Sequence, residues 1–203
     1  GGKDLASMLI GTYELELLNI FNDIQKNQFD NFIDIGAADG YYACGMLVAK
    51  KVKRSICFEI SEEGRRVINE NWLLNGAPGT LEIFGEANTD NLKNLNGVDY
   101  SKTLILMDIE GEEFDLIDEN FLNAVRGATL IVEIHNWDKR FCKSYESILR
   151  AINKYFRIEI IQPIDRPTNS LPFLQTYTDE NRALIVSEGR PCVMRFLKLV
   201  PKK

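Results

Sequence analysis

Cysteine and histidine are scarce in this sequence, which limits the chemistry open to it. The chain has one histidine and four cysteines, and Cys44, Cys57, Cys142 and Cys192 form no C-x-x-C pair. Their scatter lacks the spacing of metal ligands and favours reduced thiols over a metal site or a catalytic cysteine. Because Cys44 and Cys57 lie in apolar periodic segments, we expect both to be buried.

Long hydrophobic runs are also missing, as is an excess of positive charge. No apolar stretch approaches the roughly 18 residues that span a bilayer, and the N-terminus lacks the pattern of a secretory signal. We therefore expect a cytoplasmic protein with no membrane partner. The 24 basic and 30 acidic residues give a net charge of −6. This balance argues against nucleic acid as a partner.

The apolar residues that are present form short runs separated by helical patterns. The runs that predict buried strands are residues 31–36, 55–60, 80–85, 103–109 and 128–135. Ser61 predicts the N-cap of one helix, which Asn75 and Gly76 end, and Ser144 predicts the start of another. This alternation predicts an α/β fold, a Rossmann-like three-layer sandwich with a mostly parallel sheet of about seven strands.

The pattern changes after residue 157, where three strand-like segments follow without clear helices between them. They are residues 157–164, 182–188 and 192–200, and the turn at 189–191 predicts an antiparallel edge hairpin from the last two. Residues 165–181 predict a long loop, either a lid over a substrate or an ordinary surface loop.

The length of 203 residues fits a single domain. We divide it into an N-terminal helical segment (1–30), a ligand-binding βαβ core (31–135) and a C-terminal part with strands and a candidate substrate loop (136–203). No linker or repeat interrupts this plan.

Two glycines stand where the first strand gives way to a helix, in the stretch FIDIGAADGYY at residues 32–42. Gly36 and Gly40 permit a tight turn and the close approach of a ligand. Their spacing differs from the dinucleotide-binding G-x-G-x-x-G, and no P-loop is present. The turn therefore predicts a cradle for a nucleoside ligand without a phosphate chain. A glycine turn that binds no ligand is the alternative.

Acidic residues follow the next strands, at the sheet edge where α/β proteins bind ligands. Glu59 ends the second strand, where a carboxylate can accept hydrogen bonds from both hydroxyls of a ribose. Glu86 and Ala87 follow the third strand, where the amino group of a base could be recognised. Glu86 could equally be a solvated loop residue.

These motifs together resemble a known family. The strings FIDIGAADGYY, CFEIS and LILMDIEGEEFDLI, in this order, look like class I methyltransferases that use S-adenosylmethionine, and specifically the FkbM-like family. Residues 108–113, D-I-E-G-E-E, resemble that family's D-x-E-G-x-E. The resemblance covers residues 32–135, about half of the chain.

The resemblance implies S-adenosyl-L-methionine as the cofactor and assigns parts of it to named residues. The glycine turn would border the methionine part, Glu59 would hold the ribose, and Glu86 would border the adenine. A ligand that carries ammonium and sulfonium charges fits a site rich in acids. The implied cofactor-binding residues are Asp34, Gly36, Ala37, Gly40, Glu59, Ile60, Glu86, Ala87 and Asp108.

His135, Asp108 and Glu110 are the candidate catalytic residues. His135 ends the fifth strand beside the expected position of Asp108, and an unperturbed pKa of about 6.5 suits a general base. A hydrogen-bonded structural histidine is the alternative. The same three residues could bind Mg or Mn, but we assign no metal because their spacing is not diagnostic. Glu110 and Glu113 could instead favour the start of a helix.

The resemblance implies O-methylation of a small molecule or glycan. An S-adenosylmethionine-binding protein without transferase activity, and a methyltransferase acting on RNA or protein, are the alternatives. The sequence gives no prediction of oligomeric state.

Overall fold

A computed structural model describes residues 5–202 and places seven strands in one sheet. The strands are β1 (Asn31–Ile35), β2 (Arg54–Phe58), β3 (Thr80–Phe84), β4 (Thr103–Met107), β5 (Thr129–Ile134), β6 (Phe156–Ile161) and β7 (Arg195–Pro201). Their order is β3-β2-β1-β4-β5-β7-β6. The first five pair in parallel, and β7 runs antiparallel to β5. The predicted Rossmann-like fold, mostly parallel with an antiparallel C-terminal hairpin, is confirmed.

The central strands are buried on both faces, which explains why they read as continuous apolar runs. All five residues of β1 are buried. Ile33 lies in register with Ile56 and Ile105, and all three belong to one apolar core cluster. Asp34 points to the opposite face because successive side chains of a strand alternate, and it lies in register with Cys57.

Helices alternate with these strands along the chain. They are α1 (Leu5–Ile10), α2 (Leu15–Asp23), α3 (Tyr41–Val48), α4 (Glu62–Leu74), α5 (Thr89–Lys93), α6 (Glu113–Leu116), α7 (Glu119–Ala124), α8 (Phe141–Tyr155) and α9 (Asp179–Val186). Short 3-10 turns lie at Tyr100–Lys102 and Pro172–Leu174. Over residues 5–202, none of the helices combines the length and hydropathy needed to cross a bilayer.

The prediction for α4 is confirmed at both ends. The Ser61 hydroxyl accepts a hydrogen bond from the Gly64 N–H at 3.1 Å, and Asn75 is the C-cap. The predicted start of α8 at Ser144 is wrong, because the helix begins at Phe141. The extra turn is stabilised by packing, since the Phe141 ring stacks on Tyr145 with centroids 4.7 Å apart.

The prediction of a strand at residues 182–188 is also wrong, because α9 covers most of this segment. Its start has the usual polar signals: the Thr178 hydroxyl accepts a hydrogen bond from the Asn181 N–H, and Asp179 and Glu180 occupy the first turn. The hairpin partner of β7 is therefore β6, and β7 lies between β5 and β6. The predicted loop at 165–181 contains a 3-10 turn, and its role as a lid stays a prediction.

The described residues group into two compact units, 25–160 with 195–202, and 5–24 with 161–194. Ion pairs between shielded side chains stabilise the smaller unit, and those to Glu16 and Glu14 join its two segments. Arg166 donates from Nη1 to Glu16 and from Nε to Glu188, each at 2.8 Å, and Arg190 pairs with Glu14. The prediction of a single domain over 1–203, with divisions at 30 and 135, stays a prediction, and residues 1–4 and 203 lie outside the described part.

Candidate functional site

The carboxyl ends of β1, β2, β3 and β4 border a cavity of about 680 Å³ within the larger unit. This is the edge at which ligands bind in open α/β sheets. Six of the sixteen lining residues are acidic, and none of them is lysine, arginine or histidine. The lining residues are Ile35, Gly36, Ala38, Phe58, Glu59, Ile60, Gly85, Glu86, Ala87, Asn88, Asp108, Ile109, Glu110, Glu112, Asp115 and Leu116.

Gly36 lies where the backbone of the turn after β1 comes close to that of β4. Its φ of +89° lies in the region that favours glycine, and an added Cβ would lie 1.8 Å from the carbonyl oxygen of Asp108. The glycine therefore lets the turn after β1 lie directly against the end of β4. Gly40 has a different role: it begins α3 with a φ of +81°, and an added Cβ would lie 3.1 Å from Ile68.

Glu59 links the turn after β1 to the start of α4. One carboxylate oxygen accepts a hydrogen bond from the Ala38 N–H at 2.9 Å, and the other accepts one from the Ser61 N–H at 2.7 Å. Gly64 makes room for this side chain, because an added Cβ there would lie 2.7 Å from Glu59 Cγ. The carboxylate is thus held in a fixed position at the cavity wall, and its remaining lone pairs can accept further hydrogen bonds.

The loop after β4 borders the cavity on its other side. Glu110 has a φ of +55° and Gly111 a φ of +106°, so two successive residues adopt left-handed conformations. For a glutamate this conformation is unfavourable, and such residues tend to occur at functional sites. An added Cβ at Gly111 would also lie 2.6 Å from Asp138 Oδ2, so the Asp138 side chain would have to shift.

Behind this loop lies a buried charged cluster around His135. The imidazole Nδ1 is 3.1 Å from Glu113 Oε1, and Nε2 is 3.3 Å from Asp108 Oδ1 and 3.6 Å from Glu110 Oε2. Glu133 lies further away, with Oε2 at 3.9 Å from Nε2. His135 and Glu113 are 2% and 0% exposed, so their charges cannot be compensated by water.

These contacts set the protonation of the imidazole. Burial alone would lower the pKa of His135, but hydrogen bonds with Asp108 and Glu113 and the charges of Glu113 and Glu133 outweigh it. They raise the pKa of His135 to about 10. This pKa is above the ordinary value of about 6.5 expected from the sequence, so the contacts favour the protonated ring at neutral pH. The catalytic role of His135 stays a prediction.

The same cluster is where a metal ion could be held. Asp108, Glu133 and His135 offer three ligand atoms within 4.8 Å of one another. The sequence suggested Asp108, Glu110 and His135 as possible ligands, whereas in the structure Glu133 takes the place of Glu110. The assignment of no metal stays a prediction.

Arg140 closes the outer side of the loop. Its guanidinium donates to Asp138 from Nε at 3.0 Å and to Glu112 at 3.2 Å, and it also pairs with Asp115. The hydrogen bonds from Arg140 lower the pKa of Asp138 to about 2. The positive charge of Arg140 thus compensates the negative charges of two lining acids, Glu112 and Asp115. Arg140 does not pair with the lining acids that come earlier in the sequence, such as Asp108 and Glu110.

The structure brings most of the predicted site residues to one cavity. Seven of them line it: Gly36, Glu59, Ile60, Glu86, Ala87, Asp108 and Glu110. Asp34 and Ala37 are buried beside it, at 3% and 5% exposure, and Gly40 packs on α4. Asp34 instead faces the thiols, where burial and then its charge raise the pKa of Cys44 to about 11.

Sequence analysis missed the importance of two glutamates. Glu113 was considered as a residue that favours a helix start, and Glu133 was not considered. Both have a signal in the sequence: Glu113 is the last residue of D-I-E-G-E-E, and Glu133 interrupts the apolar run of β5. An acid within a run that is otherwise buried needs a partner, which here is His135.

Sequence comparison finds no matching family and no matching curated protein. Solved structures do share the fold. An rRNA methylase from Streptococcus thermophilus aligns with a TM-score of 0.58 at 11% identity, covering 91% of this chain and 93% of that one. A ribosomal protein L11 methylase from Lactobacillus delbrueckii subsp. bulgaricus aligns with a TM-score of 0.59 at 19% identity, covering 95% and 79%. TrmK from M. capricolum, in complex with S-adenosyl-homocysteine, aligns with a TM-score of 0.56 at 12% identity, covering 95% and 70%.

One prediction needs correction in this light. The net charge of −6 argued against nucleic acid as a partner. An rRNA methylase nevertheless has this fold, so the net charge does not exclude nucleic acid and the prediction was wrong. Net charge describes the whole surface, whereas binding depends on the charges of one face.

Proposed function

We propose that this protein is an S-adenosyl-L-methionine-dependent methyltransferase. The observation that carries the proposal is the acid-lined cavity of about 680 Å³ at the carboxyl edge of the sheet. Its glycine turn lacks a phosphate-binding motif, and its six acids suit a ligand that carries ammonium and sulfonium charges. The shared fold of solved methylases adds support.

The residues present fit this cofactor part by part. Glu59 is held with both oxygens at the cavity wall, where it can accept hydrogen bonds from the ribose hydroxyls. Ile60, 79% exposed although apolar, gives the nucleoside an apolar surface beside the ribose. Glu86 and Ala87 would border the adenine, and Gly36 with Asp108 the methionine part, while Asp34, Ala37 and Gly40 would support the turn from behind.

The cofactor supplies an activated methyl group, so the protein contributes mainly alignment of the acceptor with the sulfonium carbon. Alignment and proximity can lower the barrier by about 7–11 kcal/mol in ideal cases. A base is required where the acceptor must lose a proton. We assign this role to the carboxylates of Asp108 and Glu110; the His135 imidazole is hydrogen-bonded to Asp108, and its Nε2 lies 3.6 Å from Glu110 Oε2.

The finer proposal is an FkbM-like enzyme that methylates an oxygen atom. It depends on D-I-E-G-E-E at residues 108–113 and on the histidine at the end of β5. The neighbours described above include methylases of rRNA and of a ribosomal protein, so they give no support to a small-molecule or glycan acceptor. The acceptor test must therefore include macromolecules.

Titration calorimetry with S-adenosylmethionine and S-adenosylhomocysteine tests the cofactor. We expect both to bind, and ATP to serve as a control that does not bind, because the site has no phosphate-binding motif. Absence of heat with both cofactor forms would overturn the proposal.

Transfer is tested with methyl-labelled S-adenosylmethionine and a panel of hydroxyl compounds, glycans, RNA and protein. Label incorporated into one class identifies the acceptor, and base-stable or base-labile label separates ether from ester products. Cofactor binding without transfer to any class would instead support a binding protein without transferase activity.

A further inference from the structure

Glu113 is the most deeply buried charge beside the candidate site, and the proposed reaction does not use it. It lies at the start of α6 and is 0% exposed. Oε1 accepts a hydrogen bond from the His135 backbone N–H at 2.8 Å, and Oε2 accepts one from the Gly111 N–H at 2.9 Å. The imidazole Nδ1 of His135 lies 3.1 and 3.2 Å from the same two oxygens. Three donors from two separate loops thus converge on one carboxylate.

This set of donors can be satisfied by a carboxylate and not by an amide. Both oxygens face N–H groups, and an ionised carboxylate has acceptors on both sides. A glutamine would turn its NH₂ group towards either Gly111 or His135, where it would oppose another donor in a site without water. The charge matters as well, because hydrogen bonds to an ionised acceptor are stronger than those to a neutral one.

Through these contacts Glu113 fixes the loop that borders the cavity. The Gly111 N–H is the end of the left-handed turn formed by Glu110 and Gly111. The imidazole that Glu113 holds at Nδ1 presents Nε2 to Asp108 at 3.3 Å. Asp108 and Glu110 both line the cavity, so Glu113 controls the position of two lining carboxylates without reaching the cavity itself.

We propose that Glu113 is the positioning residue of the cofactor site, holding the loop from Asp108 to Gly111 and the His135 ring so that Asp108 faces the methionine end of the cofactor. This inference rests on the proposed function. The competing explanation is that Glu113 stabilises the fold and has no influence on how tightly a ligand is held.

Titration calorimetry of Glu113→Gln separates these two explanations, because the dissociation constant and the binding stoichiometry report different properties. Mispositioning weakens binding by each folded molecule, so we expect the dissociation constant for S-adenosylmethionine to rise about tenfold or more. A purely structural role lowers the fraction of competent molecules, and hence the stoichiometry, while the dissociation constant stays at the wild-type value.

Glu119→Gln is the matched control, since Glu119 is an exposed residue of the following helix that pairs with Lys154. We expect it to bind the cofactor like the wild type. A spectroscopic readout is also available because the chain has a single histidine. The ¹⁵N shifts of its imidazole should change in Glu113→Gln, where the Nδ1 contact with a carboxylate is lost, and stay unchanged in Glu119→Gln.

If Glu113→Gln does not fold, Glu113→Asp tests the same point. It keeps the charge but is one methylene shorter, so it cannot reach both loops, and we expect weaker cofactor binding. Wild-type dissociation constants in the folded variants would overturn the inference while leaving the proposed function intact. Absence of cofactor binding by the wild type would instead overturn the proposed function, and the positioning role with it.

Discussion

The substitution Gly36→Ala tests whether the turn after β1 is a cradle built by close backbone approach. The added methyl group would lie 1.8 Å from the Asp108 carbonyl oxygen and 2.9 Å from Ile109 Cγ2. Neither the turn nor the end of β4 can keep its position, because the nearest atom is backbone and not a flexible side-chain end. The residue must also hold a φ of +89°, which a side chain disfavours.

The energetic costs of the steric clash and of the left-handed conformation can both be estimated. A side chain in a left-handed conformation costs about 1–2 kcal/mol, and inserting a methyl group into a packed site costs about 1–3 kcal/mol. We therefore expect Gly36→Ala to lower the free energy of unfolding by about 3 kcal/mol. In a chain of 203 residues this corresponds to a fall in melting temperature of about 6–12 °C.

The matched control is Gly45→Ala, nine residues along the chain. Gly45 lies within α3, and an added Cβ would have no neighbour within 4 Å. Since alanine favours a helix over glycine by about 1 kcal/mol, this variant should be slightly more stable than the wild type. Urea denaturation measures both variants, and calorimetry with S-adenosylhomocysteine measures the site. We expect at least tenfold weaker binding in Gly36→Ala alone, and wild-type stability together with wild-type affinity would refute the cradle.

Three further predictions concern charge and access. Glu59→Gln should weaken S-adenosylhomocysteine binding about tenfold or more, because hydrogen bonds to a charged acceptor contribute about 1.5–3 kcal/mol each. In the same titration the control Glu62→Gln, at an exposed position, should bind like the wild type. The pKa of His135 is about 10 in the folded chain, so its stabilising contribution is complete below its unfolded pKa of about 6.5 and is lost as pH rises towards 10. Urea denaturation between these pH values should show the wild type approaching His135→Asn in stability, and a constant difference would contradict the raised pKa. Cys142 and Cys192 are exposed, so two of four thiols should react quickly with Ellman's reagent in the folded protein and all four after denaturation; four fast thiols without denaturant would contradict the buried positions of the other two.

The central strands of the sheet could be predicted from the sequence because they are buried on both faces. A parallel strand such as β1 or β4 then has no polar alternation to interpret, and its apolar run marks its position directly. The acids at strand ends followed from the same topology, since residues such as Glu59 and Asp108 must meet at the carboxyl edge.

Two features could not be obtained in this way. Residues 182–188 are apolar enough for a strand, and the helix there depends on the polar start at Thr178, which lay in a segment assigned to a loop. The partner of Glu113 was hidden because acids are normally taken as exposed, and its burial depends on His135, 22 residues away in sequence. Local patterns contain no information about such a contact.

The position of β7 has a consequence for how the chain folds. Leu130 of β5 pairs with Leu199 of β7, which lies almost seventy positions later in the sequence. The pairing of β5 is therefore complete only after this distant segment has joined the sheet. Contacts this distant slow folding because a long loop must close first. Before β7 pairs with β5, one edge of β5 has unpaired backbone groups and apolar side chains, and strands of other molecules can pair with it. Aggregation during refolding should therefore begin at this edge.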